Sequence, residues 1–229
     1  MVEKLKRLLG KRRRVGGVTI GVGVASAVAF AVFLVALVRR SDAASTATRR
    51  RPGSGRTAVI GDSIVANTNG FVNHLGRNVA GRSFDNFGVV GQGTSAILND
   101  LRTRVIGRGY DEVIIEGGLN DLGHPSAVAY VTGNLGTMVR EAKAAGLGVV
   151  LVTVTPYRAG QPKIGQINQI LIRDGRGWGA DVVVDITSPL ADMLGGIKAN
   201  LTDDRTGLHP NHIGQELIGQ TLLTRAYAN

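Results

Sequence analysis

From Thr57 to the end of the chain, short apolar runs rich in β-branched residues alternate with longer stretches of helical character, and that alternation leaves few folds open. The apolar runs are Thr57–Gly61, Ser83–Phe87, Glu112–Glu116, Val149–Thr155 and Asp181–Ile186. Most are continuously apolar, the pattern of strands buried on both faces. Helical stretches lie between them near Gly70–Val79, Ser95–Arg108, Ser126–Ala145 and Lys163–Arg176. A last one runs from Pro210 to Tyr227, with Pro210 in a favoured first position. Five strands separated by helices predict an α/β fold: a three-layer α/β/α sandwich around a five-stranded parallel sheet, with right-handed crossovers. Residues 57–229 are enough to enclose a core.

The amino-terminal quarter is a different material. Residues 1–14 form a basic head with one acid, Glu3, and residues 15–38 carry no charge at all. A helix over that run reaches about 36 Å, enough to cross a bilayer core. It has no polar face, and Arg12-Arg13-Arg14 and Arg39-Arg40 bracket it. The expectation is a transmembrane signal-anchor helix preceding the α/β domain, with membrane contact through residues 15–38. The run is longer than a signal-peptide apolar region, which favours an uncleaved anchor. Ala43-Ala44-Ser45 and Ala47 leave cleavage, and a secreted domain, as the alternative. The excess of basic residues before the run places the amino terminus in the cytoplasm and the domain outside it. Residues 39–56, rich in Ser, Ala, Thr, Arg, Pro and Gly, read as a flexible linker.

The net charge of +10 belongs to this appendage. Residues 1–56 hold 13 Lys/Arg against 2 Asp/Glu, and residues 57–229 hold 14 against 15. A near-neutral, aromatic-poor domain has no electrostatic or stacking surface for nucleic acid, and no nucleic-acid partner is expected. The chain has no cysteine, which removes disulfides, thiolate metal sites and a cysteine nucleophile.

Four short motifs fall at strand ends or a helix start. Val59-Ile60-Gly61-Asp62-Ser63 carries the first strand into a Gly-Asp-Ser turn, which puts Ser63 at the carboxyl end of a parallel strand, where open α/β sheets place their chemistry. Asn86 to Thr94 is a glycine-rich loop without the spacing of a phosphate-binding loop, and an exposed amide at Gly91 suits an oxyanion. Gly117-Gly118-Leu119-Asn120-Asp121 follows the third strand. The Asn120 side chain there is either an oxyanion donor or a turn and cap residue. Thr206-Gly207-Leu208-His209-Pro210 places His209 just before the last helix. His74, His124 and His212 read as structural or exposed.

In this order, the motifs resemble the SGNH hydrolase superfamily, the GDSL esterases and lipases, across residues 57–229. The resemblance implies the flavodoxin-like SGNH fold, Ser63 as nucleophile, His209 as base, and an oxyanion hole made of the Ser63 and Gly91 amides and the Asn120 side chain. It implies serine ester hydrolysis without metal or cofactor. One position departs: the family carries an aspartate three residues before the histidine, and here that residue is Thr206. Asp204, five residues before His209, is the expected orienting group, with Asp203 or Thr206 as the alternatives. The expected substrate is an acyl ester, O-acetyl or another short acyl group, on an extracytoplasmic carbohydrate or lipid. The rival expectation, motivated by Thr206, is a weakly active or non-catalytic SGNH-fold binding module.

Overall fold

The computed structural model describes residues 55–228. The basic head, the expected membrane helix over 15–38 and all but the last two linker residues lie outside the described residues. Among the described residues no helix is long and apolar enough to cross a membrane.

The five expected strands form one sheet: β1 (Gly55–Gly61), β2 (Arg82–Gly88), β3 (Glu112–Ile115), β4 (Gly148–Val152) and β5 (Val182–Val184). All neighbours pair in parallel, in the order β2-β1-β3-β4-β5. β1 begins two residues before the expected domain boundary, because Gly55 and Arg56 already pair with Arg82 and Ser83. The principal helices are α1 (Phe71–Asn78), α2 (Thr94–Asp100), α3 (Ala127–Ala144), α4 (Lys163–Trp178), the short α5 (Thr187–Leu190) and α6 (His212–Ala226). α1 packs with α6, while α2, α3 and α4 pack in series. Right-handed crossovers put these groups on opposite faces of the sheet. The core between the layers is the strand residues Ala58–Ile60, Val113–Ile115 and Val149–Val152 with Phe71, Leu75, Ile97, Leu135, Met138, Ile164, Leu171 and Ile218.

Two helices differ from the sequence pattern. The stretch expected as one helix over Ser95–Arg108 is α2 followed by a π-helical turn, Leu101–Val105, in which the Ile106 amide reaches back five residues to the Leu101 carbonyl. The wider turn lets Leu101 and Val105 both stay in the core. α6 starts at His212 rather than Pro210, because the Asn211 side chain accepts the Gly214 amide and caps it.

The strand order reverses direction at β1, with β2 on one side and β3 on the other. That switch point opens a crevice at the carboxyl ends of β1, β2 and β3. The loops leaving those ends carry Ser63, Gly91 and Asn120.

Candidate active site

The turn that presents Ser63 is held by four hydrogen bonds. The Asp62 carboxylate accepts the Ile64 amide at 3.0 Å, and the Ala66 amide donates to the Asp62 carbonyl. Asn86, on β2, donates to the Val65 carbonyl at 2.7 Å. Gln215, buried on α6, donates to the Ile64 carbonyl at 3.1 Å and accepts the Phe71 amide that begins α1. The turn is therefore fixed by the strand before it, the strand beside it and the helix that follows His209. Ser63 itself is only half buried.

His209 reaches that serine across the top of the sheet. Its Nε2 lies 3.1 Å from Ser63 Oγ, and its Nδ1 lies 3.0 Å from Asp204 Oδ2. The other Asp204 oxygen accepts both the amide and the hydroxyl of Thr206, each at 2.8 Å. These two bonds, ahead of the imidazole contact, hold the Asp204 carboxyl well below the usual carboxylate range. Asp204 is thus the side chain that meets His209. Thr206 contacts Asp204 and not the imidazole, and Asp203 turns to Asn211, whose side-chain amide donates to it at 3.1 Å. The Thr202 hydroxyl donates to the His209 carbonyl at 2.8 Å, which fixes the backbone of the residue that carries the ring.

The expected oxyanion donors converge on the same crevice. Gly91 sits at φ +77°, a left-handed conformation that glycine adopts freely. Among the described residues neither its amide nor that of Ser63 has an acceptor. Asn120 follows two glycines with φ of +145° and +129°, and a Cβ on Gly118 would lie 2.8 Å from the Val131 side chain. The exposed Asn120 side-chain NH2 donates to the Gln92 carbonyl at 3.1 Å and to Asp62 Oδ2 at 3.3 Å. It lies between the loop of Gly91 and the turn of Ser63. Asp121 ties the same loops together by accepting the Thr94 amide at 2.8 Å.

Sequence reasoning missed one group. Glu116, the residue after β3, is completely buried beside Asp62, which is itself fully buried. The Asp62 amide approaches Glu116 Oε2 at 3.4 Å. Burial, and then the charge of Asp62, push the Glu116 carboxyl well above its ordinary range; burial also raises Asp62. A second glutamate closing the Glu112–Glu116 run, four residues before Asn120, was the only signal available. The other histidines take no part: His74 packs on Gly219, His124 stacks on Tyr130 with ring centroids 4.2 Å apart, and His212 is exposed at the start of α6. Among the described residues no three His, Cys, Asp or Glu side chains are grouped to hold a metal ion.

Residues 59–217 match the GDSL-like lipase/acylhydrolase family. No curated protein matches the chain. Solved structures with the same fold include a lipolytic protein of the G-D-S-L family from Desulfitobacterium hafniense, 19% identical over 72% of this chain and 96% of its own, with a TM-score of 0.65. A lipase/acylhydrolase from Enterococcus faecalis is 24% identical over 74% of this chain and 93% of its own, at a TM-score of 0.63. A catalytic mutant of an acetylxylan esterase from Geobacillus stearothermophilus is 20% identical over 77% and 96%, at 0.64.

Proposed function

The chain belongs to the GDSL-like lipase/acylhydrolase family and is a serine ester hydrolase, and from that premise we propose that Ser63, His209 and Asp204 carry a hydrolysis of short acyl esters, O-acetyl above all, on an extracytoplasmic carbohydrate or lipid. The observation that supports these roles is the unbroken hydrogen-bonded series from Ser63 Oγ through the His209 ring to Asp204. His209 Nε2 takes the hydroxyl proton as Ser63 Oγ bonds to the ester carbon, and Asp204 holds the ring in the tautomer that leaves Nε2 free to accept. The carbonyl electron pair moves onto its oxygen, which is met by the amides of Ser63 and Gly91 and by Asn120. Collapse expels the alcohol, which takes the proton from His209. Water then repeats the sequence on the acyl-enzyme and releases the acid.

An open site favours a small acyl group on a larger molecule. His209, Asn120 and Gly91 are all exposed, so a bulky alcohol can approach from solvent. The fold shared with an acetylxylan esterase is consistent with that class. The uncharged run over 15–38 supports a single-pass anchor with the amino terminus in the cytoplasm. The binding-module alternative loses its motive, since Asp204 stands where Thr206 left a gap.

The test is hydrolysis of p-nitrophenyl acetate and longer acyl homologues by the purified full chain, with Ser63→Ala and His209→Ala beside it. Each variant is expected to lose about 10⁴-fold or more in kcat, with the acetyl ester cleaved fastest. A folded parent no faster than its variants on every ester overturns the reading.

A further inference from the structure

Asn120 has two amide hydrogens, and the structure gives each a partner: the Gln92 carbonyl and the Asp62 carboxylate. The Gln92 partner belongs to a surface loop, and an incoming oxyanion can replace it. The Asp62 partner is buried and fixed by the Ile64 amide. An anionic Asp62 accepts only, so it attracts the NH2 end of Asn120 and repels its carbonyl. A protonated Asp62 is also a donor and would donate equally well to the carbonyl of the flipped amide. The orientation of Asn120 therefore depends on where the proton of the Asp62–Glu116 pair resides.

We propose that Glu116 is a positioning residue of the oxyanion hole: it keeps the proton of a buried acid pair, so that Asp62 stays anionic and holds Asn120 with its NH2 group toward the reacting oxygen. This rests on the reading of Asn120 as an oxyanion donor. Two carboxyls in contact inside a protein do not both ionise, and the pair keeps one proton. Both carboxyls are fully buried; Glu116 accepts only the Asp62 amide and its Oε1 has no hydrogen-bond partner among the described residues, whereas Asp62 receives hydrogen bonds from the Ile64 amide and Asn120. The charged or titratable groups acting on Asp62 are Glu116, His209 and Asp121; on Glu116 it is Asp62. No Lys or Arg is among them, and His209 is a cation only when protonated. Burial raises the Glu116 carboxyl furthest, consistent with the proton staying there.

Four variants of the full chain, Glu116→Gln, Glu116→Leu, Asp62→Asn and Asn120→Ala, test this by kcat and KM on an acetyl ester from pH 6 to 10. Glutamine reproduces the protonated acid, accepting the Asp62 amide and donating to its carboxylate. Glu116→Gln is expected to keep kcat and KM within about threefold of the parent, because a neutral donor still faces an anionic Asp62. Glu116→Leu and Asp62→Asn are expected to lose about 10–100-fold in kcat with KM little changed, approaching the loss in Asn120→Ala. If Asn120→Ala keeps full kcat, the oxyanion reading fails and the proposal with it. If Asn120→Ala is impaired but Glu116→Gln is as poor as Glu116→Leu, the proposal alone is overturned. Should Glu116→Leu not fold, Glu116→Gln against Asp62→Asn decides: equal losses in kcat overturn the proposal.

Discussion

Glu112 and Glu116 stand at opposite ends of β3, four residues apart, and the protein treats them in opposite ways. Glu112 Oε1 accepts the Thr57 hydroxyl at 3.0 Å, the Tyr227 hydroxyl at 2.5 Å and the Arg82 guanidinium at 3.2 Å. A cation and two hydroxyls from β1, β2 and the carboxyl terminus converge on one oxygen, and burial with the Glu112 charge keeps Tyr227 a neutral phenol by raising its pKa. Glu116, more deeply buried, meets a second carboxyl instead. The lower end of the sheet spends its carboxylate on joining elements. The upper end tolerates an unneutralised acid pair next to the turn of Ser63. Local frustration of this kind collects where a protein has chemistry to arrange rather than layers to fasten.

The comparison predicts that changes at the upper end cost turnover and changes at the lower end cost stability. The largest effect is expected for Asp204→Asn. The amide no longer selects the His209 tautomer, and kcat/KM should fall by about 10⁴-fold with the melting temperature unmoved. Loss of less than tenfold would mean that the Thr202-anchored backbone alone orients the ring. Next comes Glu112→Ala, which removes the acceptor shared by Thr57, Arg82 and Tyr227. It should cost about 3 kcal/mol of stability, a drop of roughly 6–12 °C in Tm by calorimetry. Its kcat per folded molecule should match the parent, and a drop in kcat comparable to that of the upper-end variants would erase the division between the two ends.

Much of this was legible in the sequence, for reasons that explain the remainder. Continuous β-branched runs gave β1, β3, β4 and β5 within about three residues at either end, because strands buried on both faces need little context to recognise; the edge strand β2 has no β-branched residue and no fully buried one. Ser63, Gly91, Asn120 and His209 could be named because each follows a strand or precedes a helix in a short motif. The π-helical turn at Leu101–Val105 was not legible, since it reflects how two side chains fit the core. The sequence favoured Asp204 over Asp203 and Thr206 but could not show what selects it. That outcome depends on a turn closed by the Gly207 amide on the Asp204 carbonyl, which sends one aspartate to His209 and the other to Asn211. The Asp62–Glu116 contact joins residues 54 positions apart through strand register, which no local pattern reveals.

A smaller effect sharpens the upper end. Thr206→Val removes one of the two Thr206 bonds to Asp204 while keeping the amide bond, so the carboxylate is steered less firmly but stays in place. The expected loss in kcat/KM is about three- to tenfold, the size of one hydrogen bond. Asp203→Ala should change kcat/KM by less than about threefold, because Asp203 braces Asn211 and does not touch the ring. Reversal of that order would assign the orienting role to Asp203.

The smallest effect is a stability difference that appears only as pH changes. Glu116 has a folded pKa raised above its ordinary 4.5. Below that value folded and unfolded chains both hold the proton, and its contribution is fully present. As pH rises past 4.5 the unfolded chain releases the proton while the folded chain retains it, so stability is lost progressively up to the raised folded value. Glu116→Gln does not titrate and escapes that loss, while Asp62 remains in both chains. Parent and variant should therefore melt together near pH 4, and the variant should melt higher by a margin that grows toward neutral pH, at about 2–4 °C per kcal/mol. The same substitution at the lower end, Glu112→Gln, should destabilise, because it removes the charge that meets Arg82. Opposite signs for one chemical change at two ends of one strand would be direct evidence that only the upper carboxyl is held as an acid. Equal signs would return both to the same structural role.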